Sequence, residues 1–256
     1  MRILVQFDPY NRLGNRMFQY AFGYLLSQKY NCPLLCNDDL PNFDIKTEKF
    51  THVDSNVFVS RSVGNHYFDF SKLDNFNGDV LLDGHLQRIE YYKDHKELLR
   101  SIFGIKKLEM KNSNKLILHI RETDYKTLGW FLGYDYYKKF IESTGFTDIS
   151  IVTDNPNGET IQKLLSEGCE LNTEGVESPF LHHGDRRAIN DFLTLLYSEN
   201  IAISQSSFAW WGAFLGYHNK VFFPYKSSGK CCWSLTPEKD KVSLYIDEPT
   251  SVKFVL

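Results

Sequence analysis

Ile3, Leu4 and Val5 form a short apolar run of β-forming residues that places a strand over Arg2–Phe7. Asp8, Pro9, Tyr10 and Asn11 break it. Beyond Gly14 and Asn15, the residues Met17, Phe18, Ala21, Phe22, Leu25 and Leu26 recur at steps of three and four, which predicts an amphipathic helix. Residues 37–80 are rich in Asn, Asp and Phe and show no period. Val80–Leu82 reads as a strand and Glu90–Ile102 as a helix.

The charged, polar stretch Lys106–Lys115 reads as a linker, so two domains are expected, residues 1–108 and 109–256. The pattern beyond it is regular. Strands are predicted at Leu116–Ile120, Ile149–Thr153, Ile201–Ser204 and Val221–Phe223. Helices are predicted at Tyr134–Ser143, Glu159–Glu167, Ala188–Ser198 and Phe208–Gly216. Such alternation defines an α/β protein with a parallel sheet covered on both faces.

Ligands of such sheets bind beyond the carboxyl ends of the strands. Arg121 and Asp124 follow one strand, Asp154 another, Ser206 and Ser207 a third, and Asp8, Gly14 and Asn15 follow the first. The Arg121 fork suits two phosphate oxygens, or an ion pair with Asp124 three residues on. Ser206 and Ser207 suit an anion at a helix start, or a plain N-cap. His119 fits a ligand contact or a hydrogen-bonded core histidine. Asp191, read as opening a helix, can accept both N–H groups of a guanine edge, or simply stabilise the helix dipole.

Composition narrows the classes. A net charge of −3 supplies no basic field for nucleic acid. Five cysteines without a C-x-x-C pair exclude a zinc ribbon and suit a reducing, cytoplasmic setting, with no export signal ahead of the first strand. Asn200–Asn219 lacks Asp, Glu, Lys and Arg, yet Ser204–Ser207 is too polar for a bilayer centre. A buried strand, a polar turn and a buried helix are expected there, without a transmembrane span. Peripheral membrane association stays open, and the oligomeric state is not legible. No two aspartates stand two residues apart, and the P-loop, G-x-G-x-x-G, H-E-x-x-H and G-x-S-x-G motifs are absent.

Taken in order, four segments resemble one family. Leu13–Phe22 (LGNRMFQYAF), Gly84–Tyr92 (GHLQRIEYY), His119–Tyr125 (HIRETDY) and Ile203–Ala213 (ISQSSFAWWGA) are similar to blocks of glycosyltransferase family 11, the α-1,2-fucosyltransferases. The resemblance runs from about residue 1 to about residue 225. It implies a GT-B fold, two Rossmann-like domains with parallel sheets facing a cleft. The N-terminal domain would serve the acceptor and the C-terminal domain the donor. It further implies metal-free, cofactor-free inverting transfer of L-fucose from GDP-β-L-fucose to the 2-hydroxyl of a galactosyl glycan. By residue, it puts Arg121 on the β-phosphate as the catalytic group, His119 near base and ribose, and Asp191 on guanine. Ser206 and Ser207 would face the phosphates, with Asp154 near the nucleotide. Gly14, Asn15, Asp124 and Phe208 complete the donor set. Asp8 and His85 are the candidates for the base. The chain departs from the family at Glu122, where an arginine is usual, at Arg16, at Asn11-Arg12 and at His85. Glu122 either points away from the diphosphate or signals a different donor, because an anion facing it would be strongly repelled. The alternatives to fucosyl transfer are therefore transfer of another GDP-linked sugar and a catalytically silent nucleotide-sugar or glycan-binding protein. Arg16 is a candidate for compensating charge.

Overall fold

Arg2–Val5 (β1) carries Ile3, Leu4 and Val5, all without solvent exposure, and strands form on both of its sides. The computed structural model describes residues 1–7, 12–62, 67–108, 114–173, 186–225 and 244–255. Asp8 lies outside them. Contacts divide the chain into two compact units, the first built on Met1–Ile105 and the second on Lys106–Ser178, Asp185–Cys232 and Tyr245–Leu256.

In the first unit β1 is followed by a helix at Leu13–Tyr30 (α1) and by strands at Leu34–Cys36 (β2), Val57–Ser62 (β3) and Asp79–Gly84 (β4). The sheet is parallel, in the order β2-β1-β4-β3, with Ile3 aligned to both Leu34 and Val80. α1 buries Met17, Phe18, Ala21, Phe22 and Leu26 of the stripe its periodicity predicts, while Leu25 is half-buried. Its closest approach is at Gly23, where a Cβ would stand 2.5 Å from Val5 Cγ2, so glycine is required by space. β3 falls inside the stretch that shows no period. It is an edge strand, paired only with β4. The single helix expected over Glu90–Ile102 is instead two 3₁₀ turns, Ile89–Tyr91 and Lys93–His95, followed by a helix at Lys96–Ile102 (α2). Tyr92 is fully buried and donates from its hydroxyl to the Leu86 carbonyl at 2.8 Å, which holds this segment close to the turn before it.

The second unit runs Lys115–Ile120 (β5), Thr123–Leu128 (α3), Tyr134–Thr144 (α4), Asp148–Thr153 (β6), Glu159–Ser166 (α5), Glu170–Leu171 (β7), Arg186–Leu196 (α6), Asn200–Ala202 (β8), Ser207–Leu215 (α7), Lys220–Tyr225 (β9) and Ser251–Val255 (β10). Its parallel sheet has the order β10-β9-β8-β5-β6-β7. The chain winds outward from β5 through β6 to β7, then returns to β5's other side with β8. The switch point therefore lies between β5 and β8, where an open α/β sheet offers a crevice. Central strands are buried on both faces, so they read as continuous apolar runs. α7 lacks charge because it is a core helix: Trp210, Trp211 and Phe214 are fully buried, with Trp210 stacked on Phe214 at 4.7 Å. This is the strand, polar turn and buried helix expected for Asn200–Asn219. Among the described residues no helix is long and apolar enough to cross a membrane. Asp191 does not open a helix. It is the sixth residue of α6, past the first turn, so the dipole argument does not apply to it.

Candidate functional site

The second unit's polar residues gather where β5, β6 and β8 end. His119 is the fifth residue of β5, 5% exposed, with Nδ1 2.9 Å from Ser204 Oγ beyond β8. One hydrogen bond thus spans the switch point. Burial pushes the imidazole down to about 4, only partly countered by the charge of Asp154, so it is neutral at physiological pH. Phe208, in the first turn of α7, lies 6.1 Å from the His119 ring and 5.5 Å from Phe192 of α6. Asp191 adjoins Phe192 on that helix.

Arg121 is gripped by two carboxylates. Nε and Nη2 donate to the two oxygens of Asp124 at 2.8 and 3.0 Å, and Nε stands 3.1 Å from Asp154 Oδ2. Burial alone would lower its pKa, but the hydrogen bonds from Arg121 to Asp124 and the charges of Asp154 and Asp124 outweigh it and raise the pKa. Burial would likewise raise the pKa of Asp124, but Arg121 holds it below the usual carboxylate range. The two anchors differ in setting. Asp154 is 21% exposed, accepts the Glu122 backbone N–H at 2.9 Å and accepts the Thr123 hydroxyl at 2.5 Å. Asp124 is 41% exposed. The ion pair that is one of two readings of Arg121 is therefore present.

Glu122 points inward. Its side chain is fully buried, with Oε2 3.4 Å from Asn155 Nδ2 and Oε1 in an ion pair with Lys126 one helical turn on. Oε1 accepts no hydrogen bond of ordinary geometry, so Lys126 carries its compensation. Tyr125 completes the turn by donating from its hydroxyl to the Gln205 carbonyl at 2.8 Å, while its ring lies 5.7 Å from the Arg121 guanidinium. Ser206 occupies the N-cap position of α7 without a side-chain cap bond, and its N–H donates to the Ser204 carbonyl at 2.8 Å. The N-cap reading thus holds for its position and fails for its side chain. Ser207 is the first residue of α7 and is half-buried.

A separate polar cluster lies in the first unit. Asn15, in the first turn of α1, has Nδ2 3.5 Å from His85 Nε2 and accepts from Gln87 Nε2 at 2.9 Å. Gly14 is buried beside it. Arg16 pairs with Asp38 at 3.2 Å and lies over Phe7 at 5.5 Å. Asn37 exchanges two hydrogen bonds with the Phe7 backbone, at 2.8 and 3.0 Å. The structure thus brings Asn15 to His85 in one unit, and His119, Arg121, Asp124, Asp154, Ser206 and Phe208 to one sheet edge in the other. Lys126 was not singled out by sequence, and Asn155 was read only as a polar residue after the strand that precedes it, with no partner assigned. The signal for their pairing was that Glu122, an unexpected anion, needed somewhere to go.

Two α/β units with parallel sheets are the GT-B type of fold. The chain superimposes on NodZ α-1,6-fucosyltransferase, from a crystal soaked with GDP-fucose, with a TM-score of 0.51 and 10% identity, over 86% of this chain and 93% of that one. It superimposes on the R284K mutant of Arabidopsis thaliana FUT1 in complex with GDP with a TM-score of 0.51 and 12% identity, over 93% of this chain and 72% of that one. In sequence it is 21% identical over 276 aligned positions to the O-antigen biosynthesis glycosyltransferase WbnK of Escherichia coli, covering 79% of this chain and 87% of that protein. No protein-family model matches the chain, so the resemblance to family 11 rests on its sequence blocks.

Proposed function

We propose that this protein is an inverting glycosyltransferase that moves L-fucose from GDP-β-L-fucose to the 2-hydroxyl of a galactosyl acceptor. The observation that carries the reading is Arg121, an oriented guanidinium at the edge of β5, one strand from the start of α7 across the switch point. The acceptor oxygen attacks the anomeric carbon, the bond from that carbon to the β-phosphate oxygen breaks, and GDP leaves with the bonding electrons. Negative charge grows on the diphosphate, and a preorganised cation opposite it lowers the barrier without reorganisation. The hydroxyl proton passes to a base, for which Asp8 and His85 are the candidates. Neutral His119 suits a hydrogen-bonding contact to base or ribose. Glu122, which motivated the alternative of a catalytically silent nucleotide-sugar or glycan-binding protein, is buried beside Asn155 and paired with Lys126, and this burial supports the transferase reading over that alternative.

The test is product formation from GDP-fucose and a panel of β-galactosides, with EDTA present, read by mass. Transfer is expected, with Arg121→Ala reducing it by about two to three orders of magnitude while circular dichroism is unchanged. Near-normal transfer by Arg121→Ala would overturn the assignment, and loss of activity in EDTA would overturn the metal-free scheme.

A further inference from the structure

Glu122 adjoins the arginine on which the proposed function depends, yet it contacts none of the groups assigned to the donor through its carboxylate. Glu122 goes inward and Arg121 goes to the loop edge. The inward space exists because of Gly158. A Cβ there would stand 1.7 Å from Glu122 Oε2 and 2.6 Å from its Cδ. Gly158 has φ −63° and ψ 144°, open to any residue, so space and not conformation requires glycine. Lys126 closes the other end of the notch, half exposed and ion-paired to the carboxylate.

The same carboxylate of Asp154 links both residues. Its Oδ1 accepts the Glu122 N–H at 2.9 Å, and its Oδ2 stands 3.1 Å from Arg121 Nε. We infer that Glu122 is a positioning residue, whose buried carboxylate, seated between Gly158 and Lys126, fixes the turn that delivers Arg121 to the sheet edge. What the carboxylate supplies is orientation. If Glu122 leaves the notch, the turn rotates, and the Glu122 N–H bond to Asp154 and the Arg121–Asp154 ion pair cannot both be kept. This deepens the glycosyl-transfer reading and rests on it for its functional consequence, but its structural core is measurable without any ligand.

Three variants test it: Glu122→Ala, Gly158→Ala and the double variant Gly158→Ala/Glu122→Ala. Lys163→Met, which breaks the exposed Glu159–Lys163 pair, is the control. The first readout is the Arg121 Nε–H resonance of the ligand-free protein by ¹⁵N NMR. It is expected to be protected from exchange in the wild type and the control, and to exchange rapidly in the three variants. The second is GDP affinity by calorimetry, expected to fall about 10- to 100-fold in the variants, the scale of loss from a small misplacement of a binding group. The third is thermal stability. The double variant removes the collision, so its stability is expected to exceed that of Gly158→Ala while its GDP affinity stays low. A double variant that binds GDP like the wild type, or a protected Arg121 Nε–H in Glu122→Ala, would overturn the inference. Absence of GDP binding by the wild type would instead sink the proposed function, and the NMR readout would still decide the role of Glu122.

Discussion

His119 makes the most direct claim about the electrostatics of the second unit. The perturbation is a change from pH 7 to pH 5. The imidazole is lowered from 6.5 to about 4 by burial, against a smaller opposing pull from Asp154. Between those values the unfolded chain binds a proton that the native chain does not, so stability falls as pH falls across the window. Lowering the pH from 7 to 5 costs about 2 kcal/mol through this one group, and about 3 kcal/mol once the pH is below 4. Urea unfolding at the two pH values, followed by the emission of buried Trp210 and Trp211, measures it. His119→Asn, which keeps a polar atom near Ser204 Oγ without a titrating ring, is expected to lose about 2 kcal/mol less than the wild type over the same interval. Histidine-ring NMR checks the cause. A wild-type and a variant with the same pH dependence, or a His119 ring titrating near 6.5, would refute the burial argument. Donor affinity is expected to show no His119 titration between pH 6 and 8, because the ring is already neutral.

Two other substitutions probe how the loops are joined. Tyr125→Phe removes the hydroxyl that donates to the Gln205 carbonyl at 2.8 Å, with an expected cost of about 1 kcal/mol in chemical denaturation. Gly212→Ala puts a Cβ 2.8 Å from Leu195 Cβ where α7 packs on α6, and is expected to destabilise by about 1–3 kcal/mol, read as a lower melting temperature.

The elements most legible in the sequence were those whose pattern is set by burial on both sides. β5, β6 and α7 are apolar because nothing else fits, and their extents match the expectation to within a residue or two. Edge elements were not legible. β3 and β10 are edge strands paired on one side, and VFVSRS and SVKFV mix polar and apolar residues, so they carry a diluted signal. α3 has six residues and no apolar stripe; Tyr125 and the Asp154 contact to the Glu122 N–H hold it from outside. Among site residues, positions beyond strand ends were readable, since a parallel sheet brings those ends together whatever the loops contain. Directions were not. Whether Glu122 faces a ligand or the interior depends on an absent side chain at Gly158, beyond β6, and no local pattern records it.

That contrast bears on how an arginine already held by two carboxylates can receive an anion. Glu122 and Asp124 flank Arg121 with equal formal charge. The first is fully buried and ion-paired to half-exposed Lys126, so its charge is cancelled locally. The second is 41% exposed, where water and salt screen it. Replacing Asp124 on the guanidinium gives up two part-buried hydrogen bonds, which a diphosphate's oxygens can replace in kind. Replacing Asp154 would also release the Glu122 N–H and the Thr123 hydroxyl, and with them the turn. On the proposed function, an incoming diphosphate would therefore meet an arginine with one fixed partner that sets its direction and one partner that is more readily exchanged. Two carboxylates on Arg121 are in this light a way of aiming a cation, and neutralisation is complete only while the site is empty of a stronger anion.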